Sequence, residues 1–230
     1  MRRDSEHLRR CSACEISGLI RLYCFAPPCL SLGRLEPVSD VDVDACARDG
    51  VDVVRRPSGG RAVLHDDEVT YAVICRDDDP HFGGDVLTSC ARVHAAIARG
   101  LGLLGVTTTP HMLDTVDRRA ARVTAAQADC FARPGAHELL DVAGRKLVGS
   151  AQARRGGALL QHGSVLLSPS RAAKYLRSRA AAPPFATAPP PASRGLRALA
   201  GRDLDREEVA EALAKGFRQI LCTSALDTTG

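Results

Sequence analysis

Three apolar runs in the second half of the chain constrain its fold more than any other feature. "HELLDVA" (137–143), "RKLVGSAQARR" (145–155) and "GALLQHGSVLL" (157–167) are strand-like and are joined only at Ala143-Gly144 and Gly156-Gly157. Such short joints leave no room for a crossover helix, so the runs pair as antiparallel hairpins. Other strands precede them. "LIRLYCF" (Leu19–Phe25) and "LSLGRL" (Leu30–Leu35) flank a Pro-Pro turn. "VDVVRR" ends at a Ser58-Gly59-Gly60 turn, and "RAVLH" with "EVTYAVICR" reads as a strand pair.

Helices are interspersed. "SDVDVDACARDG" (39–50) has an Asp-rich start and a Gly stop, and Val86–Gly105 carries an apolar stripe. "SPSRAAKYLRS" reads as a short helix with Ser168 as N-cap. "DLDREEVAEALAKGFRQIL" (203–221) is amphipathic with an acidic first turn. Gly100, Gly102 and Gly105 reproduce a dinucleotide-binding spacing, but that motif must follow a strand and open a helix. Here it closes a helix, and Gly100 reads as a C-cap. The expected class is α+β, with mixed, largely antiparallel sheets and flanking helices. The expected organisation is an N-terminal segment (1–18), a core (19–176), a Pro/Ala-rich mobile segment (177–195) and a C-terminal helix (196–230) packed on the core.

At 230 residues the chain can bury one full core, and a net charge of +4 suits an acidic partner without indicating nucleic acid. The N-terminus has no apolar signal core and no run is long enough to span a membrane, so the expected setting is a reducing cytoplasm. The nine cysteines are then free thiols. Cys11 and Cys14 could make a zinc site with Cys24 and Cys29, but those fall in a strand-like run and beside a Pro turn, so no metal is expected.

Three stretches carry candidate chemistry. In Arg55–Asp67, Gly59 and Gly60 let backbone N–H groups approach a ligand, and Arg55 and Arg56 can fork onto anionic oxygens, unless they are surface arginines on a hairpin. In "GRKLVGSAQ", Lys146 stands among small residues in a chain whose other lysines are only Lys174 and Lys215. Unlike Arg, a Lys can give up a proton. Cys130 lies in a polar loop before Pro134-Gly135, whereas the other eight cysteines lie in or beside apolar patterns; brought near Lys146, it would be an activated nucleophile.

Taken together, "RRPSGGRAVLHDDEVTY", a Cys-Phe pair sixteen positions before Lys146, and "GRKLVGSAQARRGGALLQHGSVLL" resemble the lipoate–protein ligase A / octanoyltransferase family. The resemblance runs from about Arg21 to Leu167, about two thirds of the chain. It implies the biotin/lipoate ligase catalytic fold. Ligases of the family usually carry three glycines where this chain has Gly59-Gly60-Arg61; the cysteine-dependent octanoyltransferases are more similar. Carried over by motif, Cys130 is the acyl-accepting nucleophile and Lys146 the lysine of the site. Arg55, Arg56, Ser58, Gly59, Gly60, His65, Gly149 and His162 would line the acyl pocket. The implied reaction moves an octanoyl group from acyl-carrier protein to a lysine of a lipoyl domain, or of a glycine-cleavage H-type protein, without cofactor. Two alternatives stay open. One is a ligase using ATP and Mg²⁺, in its split form with a separate accessory chain; the expected lack of room for an accessory C-terminal domain counts against the undivided form. The other is a non-catalytic, truncated member, because the family's N-terminal helix is not legible in "DSEHLRRCSACEISG" and the chain stops early at "LDTTG".

Overall fold

The computed structural model describes residues 1–110, 131, 138–177 and 194–223. Among the described residues, nine strands form two sheets. The larger runs β1-β5-β9-β8-β7-β6, antiparallel throughout: β1 (Gly18–Tyr23), β5 (Glu68–Arg76), β6 (Thr109–Pro110), β7 (Leu139–Leu140), β8 (Lys146–Arg155) and β9 (Ala158–Leu166). The smaller sheet has β2 (Cys29–Leu32) at its centre, parallel to β3 (Asp52–Arg55) and antiparallel to β4 (Val63–His65).

The β8–β9 hairpin forms as the sequence requires. Gly156 and Gly157 take φ of 52° and 72°, and two successive positive φ values match the twist of the flanking strands. The expected pairing of "RAVLH" with "EVTYAVICR" does not occur. Those strands become β4 and β5 and enter different sheets, because the two residues between them, Asp66 and Asp67, redirect the chain. Asp67 ion-pairs with Arg197 and accepts from Ser168 Oγ at 2.5 Å. Ser168 is therefore engaged by Asp67 and caps no helix; the segment after it forms only a 3-10 turn, Ala172–Tyr175.

The helices among the described residues are α1 (Arg2–Ser12), α2 (Val43–Arg48), α3 (Val86–Leu103), α4 (Gly195–Ala200) and α5 (Arg206–Thr223). Helix α3 buries Val93, His94, Ala96, Ile97 and Leu101, one stripe at helical spacing. Together with Val209, Leu213 and Phe217 of α5 it packs on one face of the large sheet, against Val69, Tyr71, Val73, Leu159 and Val165. Gly100 is not a C-cap. It lies inside α3 where α5 crosses, and a Cβ there would stand 2.7 Å from Ala212 O; the cap is Leu104.

The opposite face of the large sheet carries α1 and the small sheet. The segment expected to be a divergent N-terminus is a helix that buries Leu8 and Cys11 against Ala72, Ile74 and Leu160. It is pinned by Asp4, fully buried, which ion-pairs with Arg21 and accepts from Tyr23 Oη at 2.6 Å. Cysteine burial is mixed: Cys11, Cys29, Cys46 and Cys75 are buried, but Cys14, Cys24 and Cys222 are exposed. Among the described residues no group of three or more His, Cys, Asp or Glu could hold a metal ion, and no helix is long and apolar enough to cross a membrane.

Candidate active site

The two sheets face each other across a layer of buried polar side chains. On the small sheet, His65 hydrogen-bonds Ser31 Oγ through Nε2 at 2.8 Å. Its Nδ1 lies 3.1 Å from Ser164 Oγ of β9 and 3.3 Å from both Thr70 Oγ1 and Glu68 Oε1 of β5. The ring stacks on Phe25 with centroids 4.4 Å apart. On the large sheet, His162 meets Ser58 Oγ at 2.6 Å, bridging to the turn after β3. A small cavity of about 30 Å³ remains in this layer, and Arg56, Gly60, His65, Gly149 and His162 are among the residues that line it.

The two arginines of the "RRPSGG" turn serve the backbone. Arg56, 4 % exposed, donates to the carbonyls of Ser31 (2.7 Å), Gly59 (3.0 Å) and Arg61 (2.5 Å), which folds the glycine turn over the cavity. Arg55 turns away from the cavity and donates to Gly33 O at 2.7 Å and Glu36 O at 2.6 Å. A Cβ at Gly59 would have nothing within 4 Å, so this residue borders open space.

Lys146 opens β8, and its side chain is only 2 % exposed. The ammonium lies 2.8 Å from Glu138 Oε1 and 5.4 Å from the centroid of the Phe131 ring. The same Glu138 oxygen accepts the Ser150 N–H at 3.2 Å, so one carboxylate ties the lysine to the strand backbone. Gly149 leaves the space this arrangement needs: a Cβ there would come 3.0 Å from Phe131 Cζ and 3.3 Å from Lys146 Cε. Phe131 also packs on Val63 and Leu166. Cys130 itself lies outside the described residues.

The structure thus brings Arg56, Gly60, His65, Gly149 and His162 to one cavity, adds Ser58 through His162, and sets Lys146 beside Gly149. It does not bring Arg55 there. Sequence reasoning missed Glu138, although it is the one acidic residue at the head of the "HELLDVA" run. It also missed the cluster behind the sheet, where His94 Nε2 meets Ser150 Oγ at 2.9 Å and Tyr71 Oη at 3.2 Å, and His94 Nδ1 lies 3.7 Å from Cys90 Sγ. A helix histidine gives no signal that it will pack against Ser150.

Burial, reinforced by the nearby Arg56 charge, pulls the His162 pKa from its ordinary 6.5 down to about 3. The folded protein therefore holds His162 neutral while the unfolded chain binds a proton below 6.5. Between those values the unfolded state carries more protons, so stability is lost as pH falls. One pKa unit corresponds to about 1.4 kcal/mol, which makes the loss from this group on the order of 2 kcal/mol at pH 5. His162→Gln is expected to flatten the dependence of the urea midpoint on pH between 6.5 and 4. An unchanged slope would assign the acid sensitivity to other groups.

A family model, the lipoyl protein ligase A/B catalytic domain, matches residues 1–218. Octanoyltransferase LipM of Kyrpidia tusciae is 39% identical over 223 residues, covering 90% of this chain and 77% of the relative. The LipM of Moorella thermoacetica is 43% identical over 150 residues, 65% of this chain and 53% of the relative. This and several further LipM relatives are matched over about half their length. Among solved structures, a lipoate-protein ligase A bound with ATP superposes with a TM-score of 0.65 at 21% identity, over 96% of this chain and 81% of the other. The bipartite lipoate protein ligase of Thermoplasma acidophilum gives 0.63 at 21% identity, over 96% and 79%. At that identity the structural likeness speaks to the fold.

Proposed function

The chain belongs to the lipoyl protein ligase A/B catalytic-domain family, and within it we propose that it is an octanoyltransferase working through a cysteine thioester. The observation that carries the reading is the setting of Lys146: a buried ammonium held by Glu138, beside the small-residue strand Gly149-Ser150-Ala151 and next to Phe131, the residue that follows Cys130. The similarity to LipM octanoyltransferases supports the same branch.

In this reading the donor is an octanoyl thioester on acyl-carrier protein. The Cys130 sulfur attacks the thioester carbonyl, the carrier thiol leaves and takes a proton, and the octanoyl group remains on Cys130. The amine of a lipoyl-domain lysine, or of an H-type protein, then attacks. The C–S bond breaks, an amide forms, and the amine proton returns to the thiol side. Exchange of one thioester for another is close to balanced, and amide formation draws the sequence forward. Both steps pass through a tetrahedral oxyanion that needs donors already in place. Lys146 is the charged donor of the site, and the glycine turn held by Arg56 offers backbone N–H groups. Cys130 and Lys146 are the catalytic pair. Arg56, Ser58, Gly59, Gly60, His65, Gly149 and His162 shape the acyl pocket, and Arg55 holds the loop of residues 33–36. No cofactor enters this scheme; ATP and Mg²⁺ belong to the ligase alternative. The free thiols fit a cytoplasmic setting.

Mixing the protein with octanoyl-carrier protein, without ATP or Mg²⁺, is expected to add the mass of one octanoyl group, and a lipoyl domain is expected to remove it. Strict dependence on ATP with free octanoate or lipoate would move the chain to the ligase branch. No acyl transfer under either condition would leave a non-catalytic member of the family.

A further inference from the structure

A second cavity, of about 270 Å³, lies between the start of α3 and the outer part of β8. Val86, Leu87 and Cys90 line it from the helix, and Glu138, Ser150 and Gln161 from the sheet side. It is linked to the site through two residues: Ser150 also lines the cavity between the sheets, and Glu138 is the carboxylate that holds Lys146. Val86 and Leu87 are 54% and 42% exposed, so the apolar part of the wall faces outward.

Gln161 is wholly buried. Its Oε1 accepts from Gln152, but its Nε2 has no hydrogen-bond partner among the described residues. The same amide acts on the Cys90 thiol and the Tyr71 hydroxyl, drawing back both pKa values that burial raises, but it meets neither at hydrogen-bond geometry. A buried amide donor left in this condition calls for an acceptor that is supplied from outside. The cavity therefore suits a chain that brings a carbonyl oxygen to Gln161 and lays methylene or methyl groups along Val86 and Leu87. A lysine side chain from the acceptor protein brings an amine and no carbonyl. The flexible arm on which a carrier protein holds its thioester is built from methylenes and secondary amides.

We propose that this cavity receives the amide-bearing arm of the thioester donor, with one arm carbonyl accepting from Gln161 Nε2. The proposal rests on the octanoyltransferase reading and adds to it the place where the donor is recognised.

Two donors separate the possibilities: S-octanoyl-pantetheine, which carries the amides, and S-octanoyl-mercaptoethanol, which has none. Both are assayed with a lipoyl domain as acceptor. The wild-type protein is expected to favour the pantetheine thioester in kcat/KM. Gln161→Leu removes one neutral hydrogen bond, so the ratio of the two kcat/KM values should fall by about 2- to 10-fold. Leu87→Trp, at an exposed position where folding is not at risk, fills the cavity mouth and should lower the ratio further. An equal loss on both donors in the two variants overturns the proposal. A raised KM for the lipoyl domain with an unchanged donor ratio also overturns it, and assigns the cavity to the acceptor. Transfer by the wild type from neither thioester is a different result: it removes the octanoyltransferase reading itself.

Discussion

Cys130→Ala is expected to form no octanoyl thioester and to lose transfer by a factor on the order of 10⁴–10⁶, the range seen when an enzyme loses its covalent nucleophile. The reason is chemical. An amine attacking a carrier-bound thioester directly would have to meet it in the same cavity, whereas a fixed thiol divides the reaction into two encounters that do not coincide. Among the candidate thiols, the described ones give the control. Cys11, Cys29 and Cys75 are buried, and burial raises their pKa, to about 12 for Cys29 and Cys75. Such thiols carry too little thiolate at neutral pH to compete. Cys90 is the rival worth testing, since it lines the second cavity and lies 3.7 Å from His94 Nδ1. Tryptic mapping of the acylated protein should place the thioester on the peptide holding Cys130. Persistence of the adduct in Cys130→Ala, with its loss in Cys90→Ala, would move the nucleophile to α3.

The sequence was most legible where local chemistry decides the outcome. The β8–β9 hairpin was readable because Gly156-Gly157 admits few alternatives to a tight turn. Helix α3 was readable because its apolar stripe persists over five turns. Pairing between distant strands was not legible. β4 and β5 are neighbours in sequence, yet the partner of each comes from elsewhere: β2 for one, β1 and β9 for the other. Nothing in three residues of "VLH" states which sheet will accept them. Helix α1 was missed for a related reason. Its sequence, rich in arginine, has little apolar signal, and the interaction that fixes it, Asp4 with Arg21 and Tyr23, is tertiary. The site followed the same division. Lys146 and the glycine turn could be picked out by residue type. Glu138 could not, since a carboxylate in a strand-like run reads as solvent-facing until the fold buries it against the lysine. Arg55 and Arg56 show the opposite failure: among the described residues, a motif expected to hold ligand oxygens directs its hydrogen bonds largely to backbone carbonyls.

Lys146→Ala should slow both acyl steps by about 10²–10³-fold if its ammonium is an oxyanion donor. Stability must be separated from catalysis, because the substitution leaves Glu138 buried without its cation. Breaking a buried pair from one side typically costs about 3–5 kcal/mol. A double variant, Lys146→Met with Glu138→Gln, removes both charges and should recover much of the thermal stability while remaining as slow as Lys146→Ala. Recovery of transfer together with stability would mean that the lysine only holds the fold. Lys146→Arg tests the proton. It keeps the charge, but the side chain is 2 % exposed with Phe131 and Gly149 packed around it, and a planar guanidinium neither fits that seat nor gives up a proton. It should therefore be nearly as poor as Lys146→Ala. The rate of Cys130 alkylation by iodoacetamide, followed against pH, reports the thiol pKa apart from turnover. If Lys146 stabilises the Cys130 thiolate, Lys146→Ala should raise that pKa and shift the alkylation profile to higher pH, and Lys146→Arg should shift it less. A Lys146→Ala protein that folds, alkylates like the wild type and transfers at the wild-type rate would take Lys146 out of the mechanism and leave it a buried partner of Glu138.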